Sequence, residues 1–585
     1  MFTTRPTLQG TFGMVSSTHW LASATAMAVL EDDGNAFDAA VAAAFVLHVV
    51  EPHLNGPAGE VPMILAPSGE TPVVLCGQGP APAGATIDHY TSLGLDLVPG
   101  TGPLAAAVPG AVDAWLLLLR DRGTKTLREV LTYAIGYAEH GHPAVERIGS
   151  TVDTVRELFM TEWTTSAELY LTDGKAPAAG ALLRNPALAR TWQRLIAEAE
   201  SVTGREAQLD AARAVWREGF IAEAIVDMTT KSTMDTSGER HAGALTGDDL
   251  AAFSAHYEEP ATFAWNGWTV AKPGLWSQGP VFLQQLALLP DVDYGTPDYH
   301  HTLIEGAKLA MADREAWYGD SGDVSLDVLL AKEYTESRRA LVGEEASREL
   351  RPGSPDGRKP RLSKRIGLDG AGTPTPAGAG EPTVEPDGRT RGDTCHLDVV
   401  DRWGNMIAAT PSGGWLQSNP VIPELGFPLG TRLQMMWLEP GLPNSLVPGR
   451  RPRTTLSPSL ALRDGQPVMA FGTPGGDQQD QWSLHFLLAV ALGDLGLQEA
   501  IDAPNWHTES FPSSFYPRAM APGKCVVESR IGDTVIAELR RRGHDVTVGE
   551  PWSEGRLCAV ARDPETGVLS AAANPRGMQG YAAGR

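Results

Sequence analysis

The sequence predicts an α+β protein in which two incomplete halves build one core, sheet packed on sheet with helices outside. Three observations predict it. Residues 14–76 run strand, two helices, then strands; residues 104–345 are mainly helical; residues 394–585 return to strands with few helices. The first half has too few strands to complete a sheet, and the second too few helices to cover one.

Each element follows from local pattern. Gly13-Met14-Val15-Ser16-Ser17 reads as a strand, and 21–32 as an Ala-rich helix ending at a Gly34-Asn35 C-cap pair. A second helix, 36–49, carries Ala, Val and Phe on nearly every face and is expected to be buried, stopping at Glu51-Pro52-His53. The loop Asn55-Gly56-Pro57-Ala58-Gly59 leads to strands at 63–66 and 73–76. Apolar residues recur at three-to-four spacing over 116–119, 127–138, 187–199 and 303–318, which predicts helices, with strands at 261–265 and 268–272 between them. Further strands are expected at 456–463, 468–472 and 557–561, and a helix at 483–492. No internal repeat is visible.

The sharpest feature is a step. Residues 351–393 are rich in Pro, Gly, Thr and charge and read as a mobile tether. At Thr394 the pattern turns into a strand, with Thr394, His396 and Asp398 alternating against Cys395, Leu397 and Val399. Such a tether could bend the Asp393 carbonyl onto the Thr394 hydroxyl, and cleavage there would leave a Thr whose α-amine is its own general base. Taken alone, the step also fits an ordinary loop entering a strand.

Composition bounds the function. The chain has 585 residues, 42% hydrophobic and 20% charged, enough for a large core and more than one lobe. A formal net charge of −24 argues against nucleic acid or an anionic membrane as partner. Cys76, Cys395, Cys525 and Cys558 form neither a disulfide framework nor a zinc motif, and His19, His48, His53, His396 and His507 lack metal-ligand spacing. No metal or cofactor is expected. The N-terminus lacks a secretory pattern and 36–50 is too short and polar to span a bilayer, so the chain reads as cytoplasmic.

Several segments, in order, resemble the gamma-glutamyltransferase family of N-terminal-nucleophile hydrolases over nearly the whole chain. They are Gly13-Met14-Val15-Ser16-Ser17, Asp33-Gly34-Asn35-Ala36-Phe37-Asp38, Val49-Val50-Glu51-Pro52-His53, Val108-Pro109-Gly110, Leu245-Thr246-Gly247-Asp248 and Ser277-Gln278-Gly279. Ala312-Asp313-Arg314, Tyr318-Gly319-Asp320, Thr394-Cys395-His396, Asp401-Arg402-Trp403-Gly404-Asn405, Leu456-Ser457-Pro458-Ser459, Gly472-Thr473-Pro474-Gly475-Gly476 and Asn574-Pro575-Arg576 follow. Each is ordinary turn chemistry alone; the series is specific. The resemblance implies a four-layer αββα sandwich shared by two autoprocessed subunits, 1–393 and 394–585. It implies cleavage between Asp393 and Thr394, and a small-molecule amide as substrate.

Carried over by position, Thr394 would be the nucleophile, Gly475 and Gly476 the oxyanion loop, and Ser412 a hydroxyl tuning the Thr amine. The substrate positions depart from the family. Gln78 stands where gamma-glutamyl enzymes place a carboxylate-binding Arg in an Arg-Glu-x-Ala-Pro segment, and a neutral Gln cannot replace that fork. In Gln434-Met435-Met436-Trp437-Leu438, Trp437 stands at the amine-binding Asp, and the acidic residue nearest in the chain is Glu439. Gly414 replaces an Asn, while Thr454-Thr455 keep the hydroxyls of a Ser pair. Gln478 and Gln479 offer neutral contacts, or Asp477 caps the helix that follows. The pattern resembles oxamate-amidohydrolase-like or cephalosporin-acylase-like members, acting on an acyl group other than a standard gamma-glutamyl unit. A true gamma-glutamyltransferase or glutathione hydrolase, and an uncut non-catalytic scaffold, remain as alternatives. The sequence leaves open the acyl group, hydrolysis against transfer, the base for self-cleavage, and whether the two-subunit unit self-associates.

Overall fold

The computed structural model describes residues 3–367, 394–576 and 579–585. Two seven-stranded antiparallel sheets form its centre. The first runs Leu8–Gly10, Leu569–Ala573, Cys558–Arg562, Gln466–Gly472, Ser459–Arg463, Trp268–Lys272, Ala261–Trp265. The second runs Tyr581–Gly584, Gly13–Ser17, Leu397–Asp401, Met406–Ala409, Val61–Ala66, Val73–Gly77, His256–Glu258. Both interleave strands from before and after position 394.

Period-two alternation sorts the side chains into layers. Along the second sheet Val15, Leu397, Val399, Ile407, Met63, Leu65 and Leu75 join a core with the helices Trp20–Glu31, Ala36–Val50, Ala111–Arg122 and Leu127–His140. Their neighbours Met14, Val400, Met406, Ala408, Ile64, Val74 and Cys76 pack instead on Ala271, Leu460, Ala470, Val560 and Ala571 of the first sheet. The helices Pro280–Leu288, Pro297–Trp317 and Gln479–Ala491 cover the outer face of the first sheet. The result is helix, sheet, sheet, helix, the four-layer sandwich of N-terminal-nucleophile hydrolases. Among the described residues no helix is long and apolar enough to cross a membrane.

The second helix is buried along its whole length, as its all-round apolar pattern requires. One local expectation fails. The first helix ends at Glu31, and Asn35 caps the next helix instead, accepting from Phe37 and Asp38 N–H while Asp38 answers in a capping box. The strand expected over 456–463 is confined to Ser459–Arg463. Residues 351–367, the start of the segment read as a tether, lie against the body: Pro355 and Ser363 are buried, and Arg351 pairs with Glu305 at 3.0 Å. Asp393 and the rest of that segment lie outside the described residues.

Candidate active site

Thr394 sits at one end of the second sheet, in an antiparallel bridge with Ser412 three residues before the strand Leu397–Asp401 begins. Cys395 and Leu397 belong to the helix-side core, so Thr394 and His396 point the other way, between the sheets. The Thr394 hydroxyl donates to Ser412 Oγ at 3.3 Å, and both residues are buried. Behind them the Cys395 thiol donates to Glu51 Oε2 at 2.9 Å, as does Thr18 Oγ1 at 2.7 Å. Burial pushes the Glu51 carboxyl upward, only partly offset by these donors.

The first sheet meets this end through the strand Gln466–Gly472 and the turn Thr473-Pro474-Gly475-Gly476. His396 fills the space a side chain would need at Gly472: a Cβ there would lie 2.3 Å from His396 Cε1. The same ring has Nδ1 2.9 Å from Thr410 Oγ1 and Nε2 2.9 Å from Asp398 Oδ1, and burial pushes Asp398 up to about 6. His396 thereby pins the Gly472 turn to the strand that carries Thr394, a role its place in the alternation hinted at. Gly475 has φ 125° and Gly476 φ 51°, and a Cβ on Gly475 would lie 2.2 Å from Trp482 Cζ3. Only glycine fits there. Among the described residues neither glycine donates its N–H to another backbone group.

Asp477 is not a helix cap. Arg314, fully buried on Pro297–Trp317, forms an ion pair with it, and Ser514 donates to it from N–H at 2.8 Å and from Oγ at 2.6 Å. Gln479 Oε1 accepts from Ser457 N–H at 3.1 Å, while among the described residues its buried Nε2 has no hydrogen-bond partner. Asp480 pairs with buried Lys272 at 2.9 Å and accepts from Ser457 Oγ at 2.6 Å. These groups lock the turn and the start of the following helix.

The substrate positions are all buried, with different degrees of freedom. Gln78 follows directly on the strand Val73–Gly77; its Nε2 donates to Gly79 O at 3.0 Å, and among the described residues its Oε1 has no partner. Gly414, at φ 65°, packs on the Gly56–Gly59 loop. Gln434 is saturated by Gly100 O, Thr431 Oγ1 and Tyr516 N–H at 3.2, 3.0 and 3.1 Å. Thr454 Oγ1 accepts from Leu456 N–H at 3.3 Å, and Thr455 Oγ1 has no partner among the described residues.

Trp437 has an acid beside it after all, and it is not Glu439, which binds Ser363 and Lys364. The Trp437 indole donates to Glu315 Oε1 at 2.7 Å, and the Arg518 guanidinium lies 4.0 Å over its ring. Although burial opposes it, Arg453, Arg518 and Arg314 hold Glu315 down to about 2. Glu315 comes from a distant helix, which no local motif could reveal.

One cluster among the described residues has metal-ligand spacing: Cys76, His256 and Glu258 bring ligand atoms within 4.8 Å of one another. Arg451 already occupies it, with Nη1 3.3 Å from Cys76 Sγ and an ion pair to Glu258. A cation is therefore in place without a metal. Behind Gly414, His48 lines a small cavity with Asn55, His142 and Asn185. Among the described residues neither His48 nitrogen has a hydrogen-bond partner, and burial pushes its pKa down to about 3.

A four-layer core with a hydroxyl pair at the head of one sheet and a glycine turn ending the other defines an N-terminal-nucleophile type of hydrolase fold. The gamma-glutamyltranspeptidase family model matches residues 22–584, and the chain belongs to that family. It is 30% identical to the oxamate amidohydrolase proenzyme of Klebsiella pneumoniae, over 98% of each chain. The solved cephalosporin acylase of Bacillus halodurans superposes with a TM-score of 0.82 at 26% identity, covering 100% of this chain and 97% of that one. The solved structure of LmbA2991HD superposes with a TM-score of 0.96 at 72% identity over the whole of both chains.

Proposed function

We propose that the protein is a self-processing amidohydrolase or acyltransferase that cleaves an amide through Thr394, on an acyl group other than a standard gamma-glutamyl unit. The observation that carries this reading is the Thr394 hydroxyl, 3.3 Å from Ser412 Oγ, at the layer end where His396 holds the Gly472–Gly476 turn. In this reading Thr394 Oγ attacks the amide carbonyl and its freed α-amine takes the proton. The Gly475 and Gly476 N–H groups receive the oxyanion, the leaving amine departs protonated, and water or a second amine takes the acyl group from the ester. Maturation uses the same hydroxyl on the Asp393 carbonyl, giving subunits 1–393 and 394–585. Proenzyme relatives support the precursor, and Gln78 with Trp437, in place of a charged Arg and Asp, supports the altered acyl group.

Gel and mass analysis of purified protein tests the first half: two chains split before Thr394 are expected, and Thr394→Ala remains one chain without amidase activity. A wild-type chain that stays whole would favour the scaffold reading. Brisk release of glutamate from glutathione would instead favour a true gamma-glutamyl enzyme.

A further inference from the structure

Alternation decides which side chains share the face of Thr394. In the four strands from Leu397–Asp401 to Val73–Gly77, Val399, Ala409, Met63 and Leu75 go to the helix side, and Val400, Ala408, Ile64 and Cys76 go between the sheets. Counting by twos carries Thr394, Ser412, Glu60 and Gln78 onto the inter-sheet face. The bridges align them. Thr394 pairs with Ser412, and Ser412 pairs with Glu60 through N–H···O bonds of 2.9 and 3.0 Å. Their Cβ atoms thus step about 5 Å apart. Val61 pairs with Gly77, so Gln78 takes the next place beyond Glu60. The end of the sheet carries a row of hydroxyl, hydroxyl, carboxylate and amide.

Arg432 joins this row from the short helix Arg432–Met435, forming an ion pair with Glu60; the two are 3% and 4% exposed. Its guanidinium carbon lies 5.4 Å from the Trp415 ring centroid, and Nη1 lies 3.6 Å from Met435 Sδ. Among the described residues Arg432 Nε–H has no acceptor, and Gln78 Oε1 has no donor. Glu60 is itself fenced in, since a Cβ at Gly413 would stand 2.7 Å from both carboxylate oxygens. A buried guanidinium braced by a carboxylate, set against an aromatic ring and keeping an unused donor, is preoriented for a planar anion. The positive charge absent from position 78 is supplied one place nearer the nucleophile in the row, at Glu60.

We propose that Arg432, positioned by Glu60, selects the acyl group by binding a carboxylate on it, so that the substrates are half-amides of small dicarboxylic acids. The inference rests on the reading of Thr394 as nucleophile. Among the described residues the acids placed around this row are engaged, Glu60 with Arg432, Glu315 with Arg453 at 2.8 Å and with Trp437, Asp477 with Arg314, and Glu51 with Thr18 and Cys395. Among the described residues an α-ammonium on the acyl chain therefore finds no acid of its own, and the acyl group carries a carboxylate without a neighbouring amine.

The test compares succinyl-, glutaryl- and adipyl-p-nitroanilide with butyryl- and gamma-glutamyl-p-nitroanilide on processed enzyme. At least one carboxylated anilide is expected to exceed butyryl by roughly 100-fold in kcat/KM, the scale of a buried charge contact. Removing Arg432 alone would strand Glu60, so the informative variant is the double Glu60→Gln/Arg432→Met, which leaves no unpaired charge. It should still be cut at Thr394, which reports a sound fold, yet lose the preference; Arg432→Lys should keep part of it. A processed wild type that prefers butyryl or gamma-glutamyl, or that turns over none of the five, overturns the proposal. So does a double variant that keeps the preference. A wild type that is never cut removes the nucleophile reading and this inference together.

Discussion

Replacing His48 should flatten the acid side of the stability curve by an amount that linkage sets. His48 sits within the buried helix Ala36–Val50, with its ring edge-on to Phe45 at 5.5 Å and neither nitrogen hydrogen-bonded. Burial lowers its pKa from 6.5 to about 3. The unfolded chain therefore binds a proton that the folded chain refuses over the window between those values. Stability is full above about pH 6.5 and falls as pH falls toward 3. Between pH 7 and pH 5 this one group contributes a loss of about 2 kcal/mol. His19, lowered to about 3, and His300, lowered to about 4, act in the same direction. Groups with raised values oppose them on acidification, among them Asp398, raised by burial to about 6, Glu51, raised by burial, and His507, held at about 9 by Glu554 and Glu509 against burial. The net slope is thus a balance, and the clean quantity is a difference between proteins. Denaturant unfolding of wild type and His48→Gln at pH 7 and pH 5 gives two pH losses. The wild-type loss should exceed the variant's by about 2 kcal/mol, whatever the substitution does to absolute stability. A difference below about 0.5 kcal/mol would refute the view that His48 is neutral and proton-refusing in the fold.

Two other perturbations address the turn that follows Gly472, which packs against His396. Gly475→Ala puts a Cβ 2.2 Å from Trp482 at φ 125°, so the turn must shift. Activity on any accepted amide should drop about 100-fold or more in kcat with KM little changed, and a near-wild-type kcat would argue against Gly475 as an oxyanion donor. Arg314→Met leaves Asp477 buried without its cation, which should cost about 3–5 kcal/mol of stability. Arg314→Met/Asp477→Leu should recover part of that loss in thermal unfolding, and a double variant as unstable as the single would count against the pair as a unit.

What was legible in the sequence was local. Strands such as Ala261–Trp265 and Trp268–Lys272 could be read because alternation and turn residues act within a few positions. Thr394 and the Gly475-Gly476 turn could be read because glycine chemistry and a change of pattern leave marks along the chain. The pocket was less legible because its charges meet across long separations. Glu315 reaches Trp437 from a helix 122 residues earlier, and Arg432 reaches Glu60 across the core. A weak signal did exist for Glu60, a lone carboxylate between Gly59 and the apolar run Val61-Pro62-Met63. A charge at such a place needs a buried partner. The capping exchange at Asn35 was missed for a different reason: an Asn after Gly suits either a helix end or a helix start, and Asp38 settles it.

The interleaving of the sheets constrains what a cut before Thr394 can do. The strand Leu397–Asp401 lies between Gly13–Ser17 and Met406–Ala409, so one of its edges is paired to each side of the cut. In the other sheet Ser459–Arg463 joins Trp268–Lys272 to Gln466–Gly472 in the same way. The inter-sheet core likewise mixes Met14, Ile64 and Ala271 with Val400, Leu460 and Val560. Separating the pieces would expose that core and break both ladders, whereas the cut itself severs one peptide bond. The geometry next to Thr394 is held by the same mixed ladders: Ser412 comes from one side of the cut, while Glu60 and Gln78 come from the other. A two-chain product should therefore unfold as one unit rather than dissociate first. Because that single step releases two chains, its midpoint should rise with protein concentration, whereas prior dissociation would show separated subunits below the unfolding transition.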